Sequence, residues 1–403
     1  MVGGSATFDR PSEGTLNIHQ STQRVIIDWD HFNIGGKAKT EFFQPGRSAL
    51  AVNRVVGGNT DPTRILGSLK ANGKVMVIDR NGVFFGENSI VDVGGIIVST
   101  GDISNADVMD GDDKFEFSNF GDGKVVLNGN VTVAEAGVAA FVSPFVSNNG
   151  VINAKMGKVA MAAGEKVTLD LYGDNLIEIA VDDKVADALL ENKGTIKAEG
   201  GQVLVTAQAA KEAVDNVINM QGVTDVSSVS VQGGKIVLNG GGAGKVNVSG
   251  KLNASGVGAG KVKINGQKTS FTGQIAAKGG NGQVEVSGHD LALGGEIAVD
   301  NGSSVTFDPV TFTINAGEAA TLVSALAGGG MVNVDAQEQI IVNALIDSSA
   351  QASNAILRFR DEGGAAGLQP GGGRRCAQTA RRAFSRRFPT WCGWWRTGSA
   401  PDR

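Results

Sequence analysis

Three histidines, His19, His31 and His289, lie far apart in the chain. General acid–base catalysis needs an imidazole or carboxyl held against a partner group, and nothing in the spacing brings such a pair together. Carboxylates on neighbouring coils of a repetitive fold could cleave a glycan, yet no such pair can be picked out of the sequence. The acidic run Asp110-Gly-Asp-Asp113, with Asp102 and Asp107 nearby, suggests calcium. It lacks the alternating carboxylates, central glycine and terminal glutamate of a calcium loop, and reads as a solvated excursion. Gly279-Gly-Asn-Gly-Gln-Val284 opens like a calcium-binding repeat but has no aspartate in the ligand position. Gly240-Gly-Gly-Ala-Gly-Lys-Val246 mimics a phosphate loop but follows its lysine with Val246, where a serine or threonine would hold magnesium. No catalytic, metal-ligating or cofactor-binding residue is therefore assigned; no cofactor is expected, and the chain reads as a non-enzyme.

The elements that carry these residues are short strands. One phrase recurs: glycine, polar, apolar, polar, then alanine or valine, as in Gly129-Asn-Val-Thr-Val133, Gly150-Val-Ile-Asn-Ala154, Gly194-Thr-Ile-Lys-Ala198, Gly250-Lys-Leu-Asn-Ala254, Gly273-Gln-Ile-Ala-Ala277 and Gly295-Glu-Ile-Ala-Val299. A second phrase sets lysine or glutamine after glycine and then alternates, as in Gly157-Lys-Val-Ala-Met161, Gly201-Gln-Val-Leu-Val205, Gly234-Lys-Ile-Val-Leu238, Gly244-Lys-Val-Asn-Val248, Gly260-Lys-Val-Lys-Ile264 and Gly282-Gln-Val-Glu-Val286. Period-two alternation is that of a strand with one buried face, and a repeat of about 20 to 50 residues marks a solenoid. The expected fold is all-β, a right-handed parallel β-helix with an amino-terminal cap, in which Val246 and Val262 stack in neighbouring coils. A helical interruption is expected over 208–217. With 59 glycines and a net charge of −5, and lysines spread singly along the strands, nucleic acid is not an expected partner.

Residues 1 to 180 resemble the two-partner-secretion domain of filamentous haemagglutinins. The resemblance is carried by Leu16 to Trp29, Phe32-Asn-Ile-Gly35, Phe43-Gln-Pro-Gly46, Ala49-Leu-Ala-Val-Asn-Arg-Val55, Ile65-Leu-Gly67, Asn72-Gly-Lys-Val75, Asn81-Gly-Val-Phe-Phe-Gly86, Val93-Gly-Gly95 and Asp102 to Asp107, in the family's order. It implies a secreted exoprotein whose first domain is recognised by the periplasmic domains of an outer-membrane transporter. Asn33, Gly35, Asn81, Gly82 and Gly86 are the recognition positions it implies. Where the family has Asn-Pro-Asn-Gly, this chain has Asp79-Arg80-Asn81-Gly82. Residues 181–360 resemble the family's repetitive shaft.

The resemblance implies an extracellular or cell-surface protein that passes through the periplasm, with the signal peptide outside this chain. A surface adhesin facing a host or neighbouring cell is the expected role. The delivery shaft of a toxin is the alternative, and a polysaccharide-cleaving β-helix the third reading. Over residues 361–403 the composition shifts. Arginine replaces lysine there, and Cys376, Cys392, Trp391, Trp394 and Trp395 cluster in the same stretch. These residues read as a disordered or frameshifted tail, against a basic aromatic tail for membrane or nucleic acid.

Overall fold

The computed structural model describes residues 1–58, 60–171, 177–178, 187–208, 218–228, 233–300 and 302–314, with further short strands from Thr321–Leu322 to Thr390–Trp391. Residues 209–217 of the helix expected over 208–217 and most of 361–403 lie outside the described residues. Strands stack in parallel into a three-faced solenoid. The first face is a thirteen-stranded sheet that starts with Ala6–Asp9 and Thr15–Gln20 and runs through Asn130–Val133, Val151–Asn153, Thr195–Lys197 and Lys251–Asn253. The second face includes Arg24–Trp29, Leu50–Val55, Lys74–Ile78 and Gly95–Ser99; the third includes Thr63–Ile65, Gly82–Phe85 and Lys124–Leu127. Farther along, Lys261–Phe271, Gln283–Leu293 and Ser304–Ile314 each serve both faces, and Gly266, Gly288 and Pro309 align at the bend.

Alternation explains the core. On the first face Leu69, Val91, Val131, Ile152 and Ile196 stand in register and are fully buried, part of a hydrophobic core that runs the length of the described solenoid. Each such side chain contributes about 2 kcal/mol on leaving water. The first recurring phrase falls entirely on this face, and its glycines stack: a Cβ at Gly150, Gly194, Gly222, Gly250 or Gly273 would sit 2.1 Å from the carbonyl oxygen of the preceding glycine in the column. Those carbonyls accept the N–H of Val151, Thr195, Val223, Lys251 and Gln274 at 2.9–3.0 Å. Glycine is required there by close approach of one backbone to the next.

The second phrase does not mark one face. Its copies at 157, 201, 234, 260 and 282 lie on the second face, whereas Lys245–Val248 lies on the third. Val246 and Val262 are therefore not stacked on each other. Val246 faces Ile218 and Thr269, while Val262 faces Ile236 and Val284. Both faces need a strand with alternate apolar residues, so the same short phrase satisfies either.

The acidic excursion also departs from expectation. Asn105–Met109 forms one helical turn, capped by Ser104, whose side chain accepts the Asp107 N–H. Lys114–Phe117 then pairs antiparallel with Val167–Asp170. These pieces lie over the outer side of the second face, where Phe115, Phe117, Val167 and Leu169 join Ile26, Val52, Met76 and Ile97 in a second core. Asp113 is not solvated. Its carboxylate is buried between Arg24, from the first coil, and Lys74, from the third, whose Nζ is 2.6 Å away. Arg24 also donates to the Val108 carbonyl. Charges taken this far from water need partners, and the two cations tie the excursion to coils formed by much earlier residues.

The amino-terminal cap is present. Ala6–Asp9 pairs antiparallel with Thr15–Gln20, and Gly3 bridges Ile26. His19 sits on the surface there, 2.6 Å from Asp9 and stacked on Phe43.

Candidate functional site

The five positions carried by the family resemblance come together on the third face. Ile34 bridges Ile65 in the next coil, and Ile65 faces Phe85 in the one after. Asn33 and Gly35 therefore flank the first rung of that face, while Asn81, Gly82 and Gly86 flank its third. The Asn33 side chain accepts the Arg64 N–H at 2.7 Å, which locks the first two rungs together. The Gly35 carbonyl accepts the Ala38 N–H and would lie 2.2 Å from a Cβ at Gly67. Gly82 has φ +110° and would push a Cβ to 2.6 Å from the Lys124 carbonyl oxygen, so the corner requires glycine on two counts. A Cβ at Gly86 would approach Leu66 to 2.9 Å. These four thus have architectural work, and Asn33 and Gly35 are also exposed.

Sequence reasoning missed the group that organises this corner. Asp79 is buried. Its Oδ1 accepts the Asn81 N–H at 2.9 Å, closing the turn, and its Oδ2 accepts both the N–H and the hydroxyl of Thr63, at 2.9 and 2.8 Å. The departure from Asn-Pro-Asn-Gly is thereby accommodated: a carboxylate offers two acceptor oxygens, one for its own turn and one for the coil below. Burial raises the Asp79 pKa above 3.8, against the hydrogen bonds from Asn81 and Thr63 and the nearby His31, which lower it.

Asp79→Asn removes one acceptor and is expected to cost about 1 to 2 kcal/mol at neutral pH. The contribution of a raised carboxyl pKa is complete below about pH 3.8 and is lost as pH rises through the folded-state value. Wild type should therefore gain on the variant as pH falls through that value toward about 3.8. Urea unfolding at several pH values reads this directly, and parallel pH profiles would contradict it.

Beside that corner the outward side of the third face carries cations over aromatic rings. The Arg64 guanidinium lies 6.0 Å from the Phe84 ring centre, and Lys124 Nζ lies 5.3 Å from that of Phe145. Among the described residues no group of three or more His, Cys, Asp or Glu is placed to hold a metal, and no helix is long and apolar enough to cross a membrane. The surface offers side-chain contacts and backbone edges, which suit recognition.

Comparison with known proteins identifies the family. The TPS secretion domain profile matches residues 5–254. Two haem/hemopexin-binding proteins of Haemophilus influenzae are similar: one is 28% identical over 260 residues, covering 59% of this chain and 27% of the relative. The other, from strain Rd, is 31% identical over 230 residues, covering 56% and 25%. The chain thus matches about a quarter of the length of those relatives. The crystal structure of the HMW1 secretion domain from Haemophilus influenzae superposes with a TM-score of 0.66 at 25% identity, over 89% of this chain and 97% of that one. Parallel coils under an amino-terminal cap, with a secretion-domain match across more than half the residues, place the chain in the TPS secretion domain family, the two-partner-secretion exoproteins that a partner transporter carries across the outer membrane.

Proposed function

We propose that the amino-terminal coils are the part of this exoprotein that the periplasmic domains of its cognate outer-membrane transporter recognise, by adding a strand to a free edge, and that the exported protein is a surface adhesin without enzymatic activity. The secretion-domain match over residues 5–254 carries the first half of this reading. Strand addition suits a solenoid, because every coil not yet covered by the next offers a row of N–H and C=O groups. The adhesin role is supported by a shaft that repeats one coil geometry, since long solenoids supply reach and lateral surface. The delivery shaft of a toxin would use the same coils, and a compact effector encoded beyond them would favour that role instead.

In a pull-down on the transporter's immobilised periplasmic region, the chain and a 1–180 fragment should be retained and a 181–360 fragment lost. Retention of the shaft alone would end the recognition reading. Reproducible cleavage of a polysaccharide by the chain, abolished by one aspartate or glutamate substitution, would end the non-enzymatic one.

A further inference from the structure

We propose that the cap strand Ala6–Asp9 is a self-association edge through which two copies of this chain pair antiparallel, head to head. The strand is the outermost member of the first face, with Thr15–Gln20 on one side only. The Ser21 N–H donates to the Ser5 carbonyl at 3.0 Å. In an antiparallel pair the hydrogen-bonded positions alternate, so Thr7 and Asp9 bond inward to His19 and Asn17, while the backbone groups of Ala6 and Phe8 point away from the sheet. The Ala6 N–H meets the Met1 sulfur at 3.2 Å. The Phe8 N–H and C=O, the Ala6 C=O and, one residue on, the Arg10 N–H are left facing outward.

That end of the solenoid is also apolar. Phe8 is 45% exposed and packs edge-on against Trp29, at 5.8 Å between ring centres. Phe8, Leu16 and Trp29 line a hollow rimmed by Asp9 and Arg10.

A second copy fits this edge in one register. With the two-fold axis on Phe8, each Phe8 N–H meets the partner's Phe8 carbonyl and each Arg10 N–H meets the partner's Ala6 carbonyl, giving four bonds without calling on the Ala6 N–H. The same register sets Thr7 opposite the partner's Asp9, a hydroxyl facing a carboxylate, and brings the two Phe8 rings together over the hollows. Moving the axis to Asp9 opposes like charges, which disfavours the pair. Moving it to Thr7 requires the Ala6 N–H. The contact closes on itself, because each copy has one such strand, and an isologous pair leaves no edge for a third.

Sedimentation velocity on the full chain, under reducing conditions and from about 1 to about 100 µM, should show a concentration-dependent dimer. Phe8→Pro removes the outward N–H together with the ring that packs on Trp29 and meets its counterpart across the pair, and an edge strand tolerates proline. It should weaken association about tenfold or more, with circular dichroism unchanged. Thr7→Asp keeps Phe8 and sets like charges opposite each other, so it should weaken association in a way that added salt relieves. A wild-type chain that stays monomeric, a Phe8→Pro chain that dimerises as well as wild type, or a Thr7→Asp chain that pairs unchanged overturns the proposal.

Discussion

Gly194→Ala is expected to destabilise the central coils by about 3 kcal/mol or more, a larger loss than any surface substitution in this chain. The added methyl would lie 2.1 Å from the Gly150 carbonyl oxygen and 2.7 Å from the Asn149 carbonyl carbon, both backbone atoms that cannot rotate away. To relieve it the two coils must separate at this corner. That stretches the Thr195 N–H bond to Gly150 and the paired Lys193 and Gly194 N–H bonds to the Asn148 carbonyl, now 2.8 and 2.9 Å. It also disturbs the buried amide pair in which Asn148 donates to Asn192 at 2.8 Å. Gly36→Ala is the control, since nothing lies within 4 Å of its new methyl, and it should stay within about 0.5 kcal/mol of wild type. Urea unfolding of both variants makes the comparison. Equal midpoints would mean that the glycine column reflects turn preference and not contact.

Asp113→Asn should cost about 3 kcal/mol and release the excursion from the second face. Asparagine tolerates the left-handed backbone that Asp113 adopts, at φ +56°, so the substitution isolates the charge. With that charge gone, the Arg24 and Lys74 side chains, 11% and 14% exposed, are left as buried cations without their shared anion, and removing one member of such a network is strongly destabilising. Hydrogen exchange should show Lys114–Phe117 and Val167–Asp170 losing protection, while the inner ladder from Arg24–Trp29 to Gly95–Ser99 keeps it. Protection unchanged in both would mean that the second core alone holds the excursion in place.

How much of the fold is legible in the sequence depends on distance along the chain. The glycine column is visible because close contact between backbones leaves a residue type behind at every coil. The cap is visible through the family resemblance. The clamp is not: Asp113 finds its cations 89 and 39 residues earlier, and a local reading of Asp110 to Asp113 sees only like charges facing water. A usable sign does exist. The early strands of the second face, Lys74–Ile78, Gly95–Ser99 and Lys158–Ala163, are apolar almost without interruption and buried on both sides, whereas Lys261–Phe271 alternates. A strand covered on both faces reads as a continuous apolar run, so something has to lie over the early coils. At the candidate site, glycines and asparagines are visible as corner residues. The role of Asp79 is hidden because its partner Thr63 reaches it from the coil below.

The glycine column has a further consequence for how such a chain changes length. From Gly250 to Gly273 and from Gly273 to Gly295 the segments run 23 and 22 residues, and each ends with the same backbone atoms at the same corner. Excising residues 251–273 would bring the Gln274 N–H to the Gly222 carbonyl in place of Lys251, with Ile275 entering the slot of Leu252 and every later coil unchanged in register. Duplicating the same segment would lengthen the rod by one strand spacing, about 4.8 Å. Gains and losses of whole turns are thus nearly silent, while an insertion of a few residues inside a strand turns its apolar side chains outward. The length of the rod is quantised, and recombination between neighbouring glycine corners can adjust it one coil at a time.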